Sequence, residues 1–159
     1  MKTVKFLLNN SNVNVEVEDG ETLLETLRNR FFLTGVKKGC EVGECGSCTV
    51  LINDIPTDSC LVLTALIDGK SILTIEGIAK NGELHPIQQA FIDEGAIQCG
   101  YCTPGMVLSS YSLLKKNPNP STEEIKRSLS GNMCRCGAYV QVCNAVKRAG
   151  NIMENTHQE

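Results

Sequence analysis

Gly39-Cys40-Glu41-Val42-Gly43-Glu44-Cys45-Gly46-Ser47-Cys48 is the stretch on which the reading of this chain turns. Its three thiols are spaced C-x4-C-x2-C, and Cys60 follows after eleven intervening residues. That is a spacing used for 2Fe–2S ligation. Two irons bridged by two sulfides need four thiolates converging on a small anionic object, and three of them must come from a loop that curls around it. Gly39, Gly43 and Gly46 interleave with the thiols, so the backbone can bend tightly and approach the sulfurs. Amides exposed by such a loop can donate to sulfur and offset the charge. Structural zinc favours a repeated short C-x2–4-C pair, and no such second pair accompanies this loop.

The flanks of the loop predict a small mixed α/β unit. Val4, Phe6 and Leu8 alternate, as do Val13, Val15 and Val17, with an Asn-Ser-Asn break between them that signals a hairpin. Thr22 and Glu25 form a capping-box pattern, followed by Leu23, Leu24, Leu27 and Phe31 at helical spacing. A strand is expected at Thr49–Ile52, turning at Asn53-Asp54 into Ile55, then a short helix at Leu61–Ile67 and a last strand at Ile72–Ile75. Strands wrapping one crossing helix suggest a β-grasp sheet. Beyond a polar linker at 77–85 every signal is helical. Pro86 opens a helix that Gly95 closes, and Thr103-Pro104 opens one ending at Lys115-Lys116. Ser121 and Glu124 box a third, and Tyr139, Val142, Val146 and Ala149 share a face of the last, expected to stop at Gly150. The class is α+β: a β-grasp domain over 1–77, a four-helix bundle over 84–150 and a polar tail over 151–159.

Composition narrows the function. Net charge is −3 with scattered basic residues, which excludes the footprint of a nucleic-acid binder. The apolar runs are too short for a membrane span, and no signal peptide is legible at the N-terminus, so a cytoplasmic chain is expected. Nine cysteines in that compartment point to metal or redox chemistry rather than disulfides.

A second thiol group, Cys99-x2-Cys102 and Cys134-x-Cys136, spans two predicted helices. Each pair falls near a helix start, where free amides and the helix dipole favour thiolates. From the residues alone this group fits either a second 2Fe–2S cluster or zinc.

Together, the Gly39–Thr49 loop, Gln98-Cys99-Gly100-Tyr101-Cys102-Thr103-Pro104-Gly105-Met106 and Gly131-Asn132-Met133-Cys134-Arg135-Cys136 resemble the iron–sulfur part of the xanthine dehydrogenase, or molybdenum hydroxylase, family. The resemblance runs from about Val4 to about Ala149. It implies a ferredoxin-like domain and a helical domain with one 2Fe–2S cluster each. Cys40, Cys45, Cys48 and Cys60 would hold the outer cluster, and Cys99, Cys102, Cys134 and Cys136 the inner one. It also implies partners: a large subunit holding molybdopterin, which Gln98 and Cys136 would face, and an FAD-binding subunit or other acceptor. This chain has Gly137-Ala138-Tyr139 where many members have Thr-Gly-Tyr, which bears on the pterin edge more than on ligation.

Other residues carry blander expectations. Cys143 reads as a packed core thiol, His85 as a capping or solvated residue, and Glu41 and Glu44 as exposed loop charges. Arg135 suits either the cluster's charge or a salt bridge. No acid–base or nucleophilic constellation stands out, so no substrate site is expected here. The competing functions are a free ferredoxin-type carrier, disfavoured by the second domain, and a zinc-stabilised interaction module.

Overall fold

The computed structural model describes residues 1–156. β1 (Lys2–Leu8) and β2 (Ser11–Val17) pair antiparallel, with Phe6 opposite Val13. Asn9 and Asn10, at φ 48° and 67°, form a two-residue turn whose left-handed twist suits Asn and matches the strands. α1 (Leu23–Asn29) starts at Thr22, whose hydroxyl accepts from the Glu25 amide while the Glu25 carboxylate reaches back. β3 (Thr49–Ile52), β4 (Ile55–Asp58) and β5 (Ser71–Leu73) complete a mixed sheet of order β2-β1-β5-β3-β4, with β1 and β5 parallel. Phe31 lies beyond the last turn of α1 and packs edge-on against Phe6 at 5.9 Å. The helix expected at Leu61–Ile67 is instead two 3₁₀ turns, Ser59–Leu61 and Thr64–Leu66. Backbone bonds made by Leu23 to Val62 and by Thr64 to Glu21 draw this segment to α1 in place of a continuous helix. The last strand is also shorter than expected, because Ile75–Gly77 turns into 3₁₀.

Four helices follow: α2 (Pro86–Asp93), α3 (Thr103–Lys116), α4 (Thr122–Ser128) and α5 (Tyr139–Thr156). His85 caps α2 through Nδ1, which accepts from the Ile87 amide, and Ser121 caps α4. α5 does not stop at Gly150. That residue marks a close approach, where a Cβ would fall against the Pro118 carbonyl, and Met153 beyond it still packs on the helical core. The expected polar tail is therefore helical to Thr156, and 157–159 lie outside the described residues.

Buried apolar side chains gather in two clusters. One sets Leu23, Leu24 and Leu27 of α1 against Val4, Phe6, Val50, Ile52 and Ile72 of the sheet. The other holds Phe91, Met106, Leu108, Ile125, Val142 and Val146 from the helices, together with Leu51. β3 is thus buried on both faces, since alternation sends Val50 and Ile52 one way and Leu51 the other. α3 covers the second face. Ser112 Oγ donates to the Asp54 carbonyl at 2.8 Å and Lys115 pairs with Asp54 at 2.9 Å. Among the described residues no helix is long and apolar enough to cross a membrane.

One ion pair anchors the entry to α1. Arg30 donates to Glu21 through Nε at 2.7 Å and Nη2 at 2.6 Å, and Thr26 Oγ1 adds a third donor at 2.8 Å. Arg30 first, then the Thr26 and backbone donors, hold the Glu21 carboxyl at about 2, below its ordinary 4.5. A depressed carboxylate pKa stabilises the fold fully above the unfolded value and loses that contribution as pH falls through the folded one. The Arg30 side chain is 38% exposed, so screening holds the effect of Glu21→Gln to about 1 kcal/mol at pH 7. Denaturant midpoints should show that gap between the two proteins closing as pH drops from about 4.5 towards 2.

Candidate metal centres

The Cys40–Cys48 loop wraps its amides around sulfur. The N–H groups of Val42, Glu44 and Cys45 donate to Cys40 Sγ at 3.5, 3.3 and 3.4 Å. These bonds bring the Cys40 thiol from 9.0 down to about 7. Glu41, Gly43 and Gly46 take positive φ, which is what curls the chain around the thiols. At Gly39 an added Cβ would stand 2.8 Å from Cys45 Sγ and displace that thiol. Glu41 is less free than the sequence suggests, because it pairs with Lys38 at 3.0 Å.

The thiols come together in pairs. The Cys45 thiol lies within hydrogen-bond reach of Cys40 Sγ, and Cys48 lies beside Cys60. Both members of the second pair are buried, and burial, with Cys60 alongside, pushes the Cys48 thiol up to about 12. Among the described residues no three His, Cys, Asp or Glu side chains converge as a single-ion site would require. A two-iron cluster uses four thiolates, two to each iron, so two neighbouring pairs match its donor set.

The second group is assembled by tertiary packing. Cys102 is the residue before α3, and Cys134 is held by the turn that leads into α5. Cys102 and Cys134 contact each other with Cys99 close by, and burial pushes the Cys102 thiol up to about 12. Burial also works against the Cys134 thiolate, but the Ala138 amide, the Cys102 thiol and the amides of Cys136 and Gly137 together outweigh it and lower its pKa. Ala138 N donates to Cys134 Sγ at 3.5 Å, so the Gly137-Ala138 departure leaves the amides aimed at sulfur. The Cys134 amide donates to Tyr139 Oη at 2.8 Å. Gln98, Cys99 and Cys136 are exposed. Cys143, half-buried against the helical core, stays outside both groups.

Thiols from both groups line one cavity of about 710 Å³, Cys40 and Cys45 from the first and Cys99, Cys102 and Cys134 from the second. Tyr101 and Arg135 join them, while Cys48, Cys60 and Cys136 lie outside its lining. The donor chemistry is cysteine sulfur, with backbone amides aimed at Cys40 and Cys134, which fits an iron–sulfur group. Residues 6–74 match the 2Fe-2S iron-sulfur cluster binding domain family, and residues 74–147 match a second 2Fe-2S binding domain family. The chain is 46% identical over 147 residues to the nicotinate dehydrogenase small FeS subunit of Eubacterium barkeri, covering 92% of this chain and 94% of that one. It is also 44% identical over 146 residues to the xanthine dehydrogenase iron-sulfur-binding subunit of Escherichia coli O157:H7, covering 91% of each.

The chain belongs to the iron–sulfur small subunits of the molybdenum hydroxylase family.

The fold agrees. Quinoline 2-oxidoreductase from Pseudomonas putida 86 contains a chain of 37% identity that superposes with a TM-score of 0.93 over 97% of this chain and 96% of its own. As a family member the chain binds iron–sulfur and serves an oxidoreductase as an electron-transfer subunit. Two features of its centres were out of reach of sequence reading. One is the shared cavity. The other is Asn132, whose buried amide reaches from the second thiol group to the first.

Proposed function

We propose that this subunit carries two 2Fe–2S clusters and relays electrons from a molybdopterin site on a large subunit to FAD or another acceptor. Cys40, Cys45, Cys48 and Cys60 would hold one cluster, and Cys99, Cys102, Cys134 and Cys136 the other. The observation that carries this reading is that thiols of both groups line one cavity, with amides converging on Cys40 in the first and Cys134 in the second. Bound clusters supply one-electron transfer, which divides the two-electron oxidation of a substrate into single steps.

The chain's own residues set the conditions for that transfer. The loop amides lower the charge on Cys40 and Cys134, and the buried Cys48 and Cys60 keep water from the inner edge of the first site. Gln98 and Cys136, both exposed, are suited to face the pterin, where the Gln98 amide can both donate and accept. The exposed end of the Cys40 loop is suited to the acceptor side. In this reading residues 1–77 and 84–150 are the two cluster domains, the second a four-helix bundle. The chain has no substrate site of its own and works in the cytoplasm, where thiols stay reduced.

Iron and acid-labile sulfide analysis tests the proposal. About four of each per chain, with two distinguishable EPR signals on reduction, are expected. Zinc without labile sulfide would sink it, and purification without a molybdopterin subunit would leave a free carrier instead.

A further inference from the structure

Asn132 is only 6% exposed, and all of its amide is used. Nδ2 donates to the Gly46 carbonyl at 3.1 Å and to Thr49 Oγ1 at 3.2 Å, while Oδ1 accepts from Ser109 Oγ at 2.9 Å. Gly46 lies between Cys45 and Cys48, Thr49 follows Cys48, and Ser109 is on α3, the helix that Cys102 precedes. The amide therefore ties both thiol groups to one point. The next residue extends the tie. Met133 N donates to the Cys45 carbonyl at 2.9 Å, and Cys134 follows it in the chain. One hydrogen bond and one residue, Met133, thus separate the backbone of Cys45 in the first group from that of Cys134 in the second.

The surroundings leave this junction no slack. A Cβ at Gly105 would fall against the Gly46 carbonyl and stand 3.0 Å from Asn132 Nδ2. Thr49 Oγ1 also donates to the Gly46 carbonyl at 2.7 Å, so the carbonyl is gripped from two sides. Only a carboxamide supplies two donors and an acceptor in this shape. An aspartate would set oxygen against the Gly46 oxygen, and an alanine would leave Ser109 Oγ without its acceptor and the Gly46 carbonyl held by Thr49 alone.

We infer that Asn132 is a positioning residue for electron transfer between the two clusters: its amide fixes the Cys45–Cys48 loop against the Cys134 turn, holding the centres at one separation across the Cys45–Met133 bond. The inference rests on the two-cluster reading, so iron and sulfide are counted first in the full chain within its complex. A wild-type count of one cluster removes that reading before any variant is compared.

With both clusters present, Asn132→Ala should change the spin–spin splitting between the two reduced centres. It should also slow electron passage from one to the other by about tenfold, as loss of an outer-shell partner does. Full clusters with wild-type splitting and rate, and only a lower melting temperature, would overturn the inference and leave Asn132 a packing residue. If Asn132→Ala loses iron, Thr49→Val decides, because it removes one acceptor of the amide together with the hydroxyl's own bond to the Gly46 carbonyl, loosening the same junction while keeping the side chain's shape. Altered splitting in a fully loaded Thr49→Val supports the positioning role, and unaltered splitting rejects it.

Discussion

Replacing Cys48 with alanine is expected, on the proposed two-cluster reading, to lower the iron content from about four to about two per chain and to abolish one of the two EPR signals. Cys48 is 3% exposed and Cys60 7%, and the two sit together in the core between α1 and the sheet. Burial holds the Cys48 thiol at about 12, so at neutral pH it becomes a ligand only by giving its proton up to metal. Removing it leaves three thiols of four, with Cys60 deprived of its neighbour and Cys40 and Cys45 only half-buried. Because metal binding is folding energy in such sites, unfolding should become easier by roughly 3–5 kcal/mol. Cys143→Ala is the control. Its thiol packs on the helical core away from both groups, so iron should stay at about four and both signals persist. Full iron in Cys48→Ala would remove Cys48 from the ligand set.

Local chemistry was legible in the sequence wherever the partners are neighbours in the chain. The capping boxes at Thr22 and Ser121 appear as read, and the hairpin does too, although its turn falls at Asn9-Asn10 and not on the Asn-Ser-Asn break, because each depends on residues within a few positions. The first thiol loop belongs with these, its amides and three of its sulfurs lying within one short segment. What the sequence left open depends on packing between distant segments. Gly150 looked like a helix stop, yet its role is to admit the Pro118 carbonyl, a contact with no local signature. Cys99 and Cys102 meet Cys134 only because α3 and α4 fold back between them. Asn132 was hidden for the same reason. In the chain it is a polar residue after a glycine, indistinguishable from a turn residue, and only the approach of Gly46, Thr49 and Ser109 makes it a clamp.

That clamp makes Gly46 the most constrained glycine of the centres, and Gly46→Ala is expected to cost about 3 kcal/mol of stability. Two independent penalties combine there. The backbone sits at φ +68°, where a Cβ crowds the following carbonyl at a cost of about 1 kcal/mol. The new methyl would also fall against the Gly131 carbonyl and stand 2.6 Å from Asn132 Nδ2, atoms that belong to a packed junction and cannot swing aside. Overpacking of that kind adds about 2 kcal/mol. Gly137→Ala separates the two penalties. Its φ of +78° is equally left-handed, but nothing lies within 4 Å of the added Cβ, so only the backbone cost of about 1 kcal/mol should remain. Denaturant unfolding of both variants should place Gly46→Ala about 2 kcal/mol below Gly137→Ala. Because the same methyl would push the Cys45–Cys48 loop off the Asn132 turn, Gly46→Ala should also disturb the splitting between the reduced centres, which Gly137→Ala leaves less affected. Equal destabilisation of the two variants would mean that the junction yields, and a yielding junction could not hold two clusters at a fixed separation.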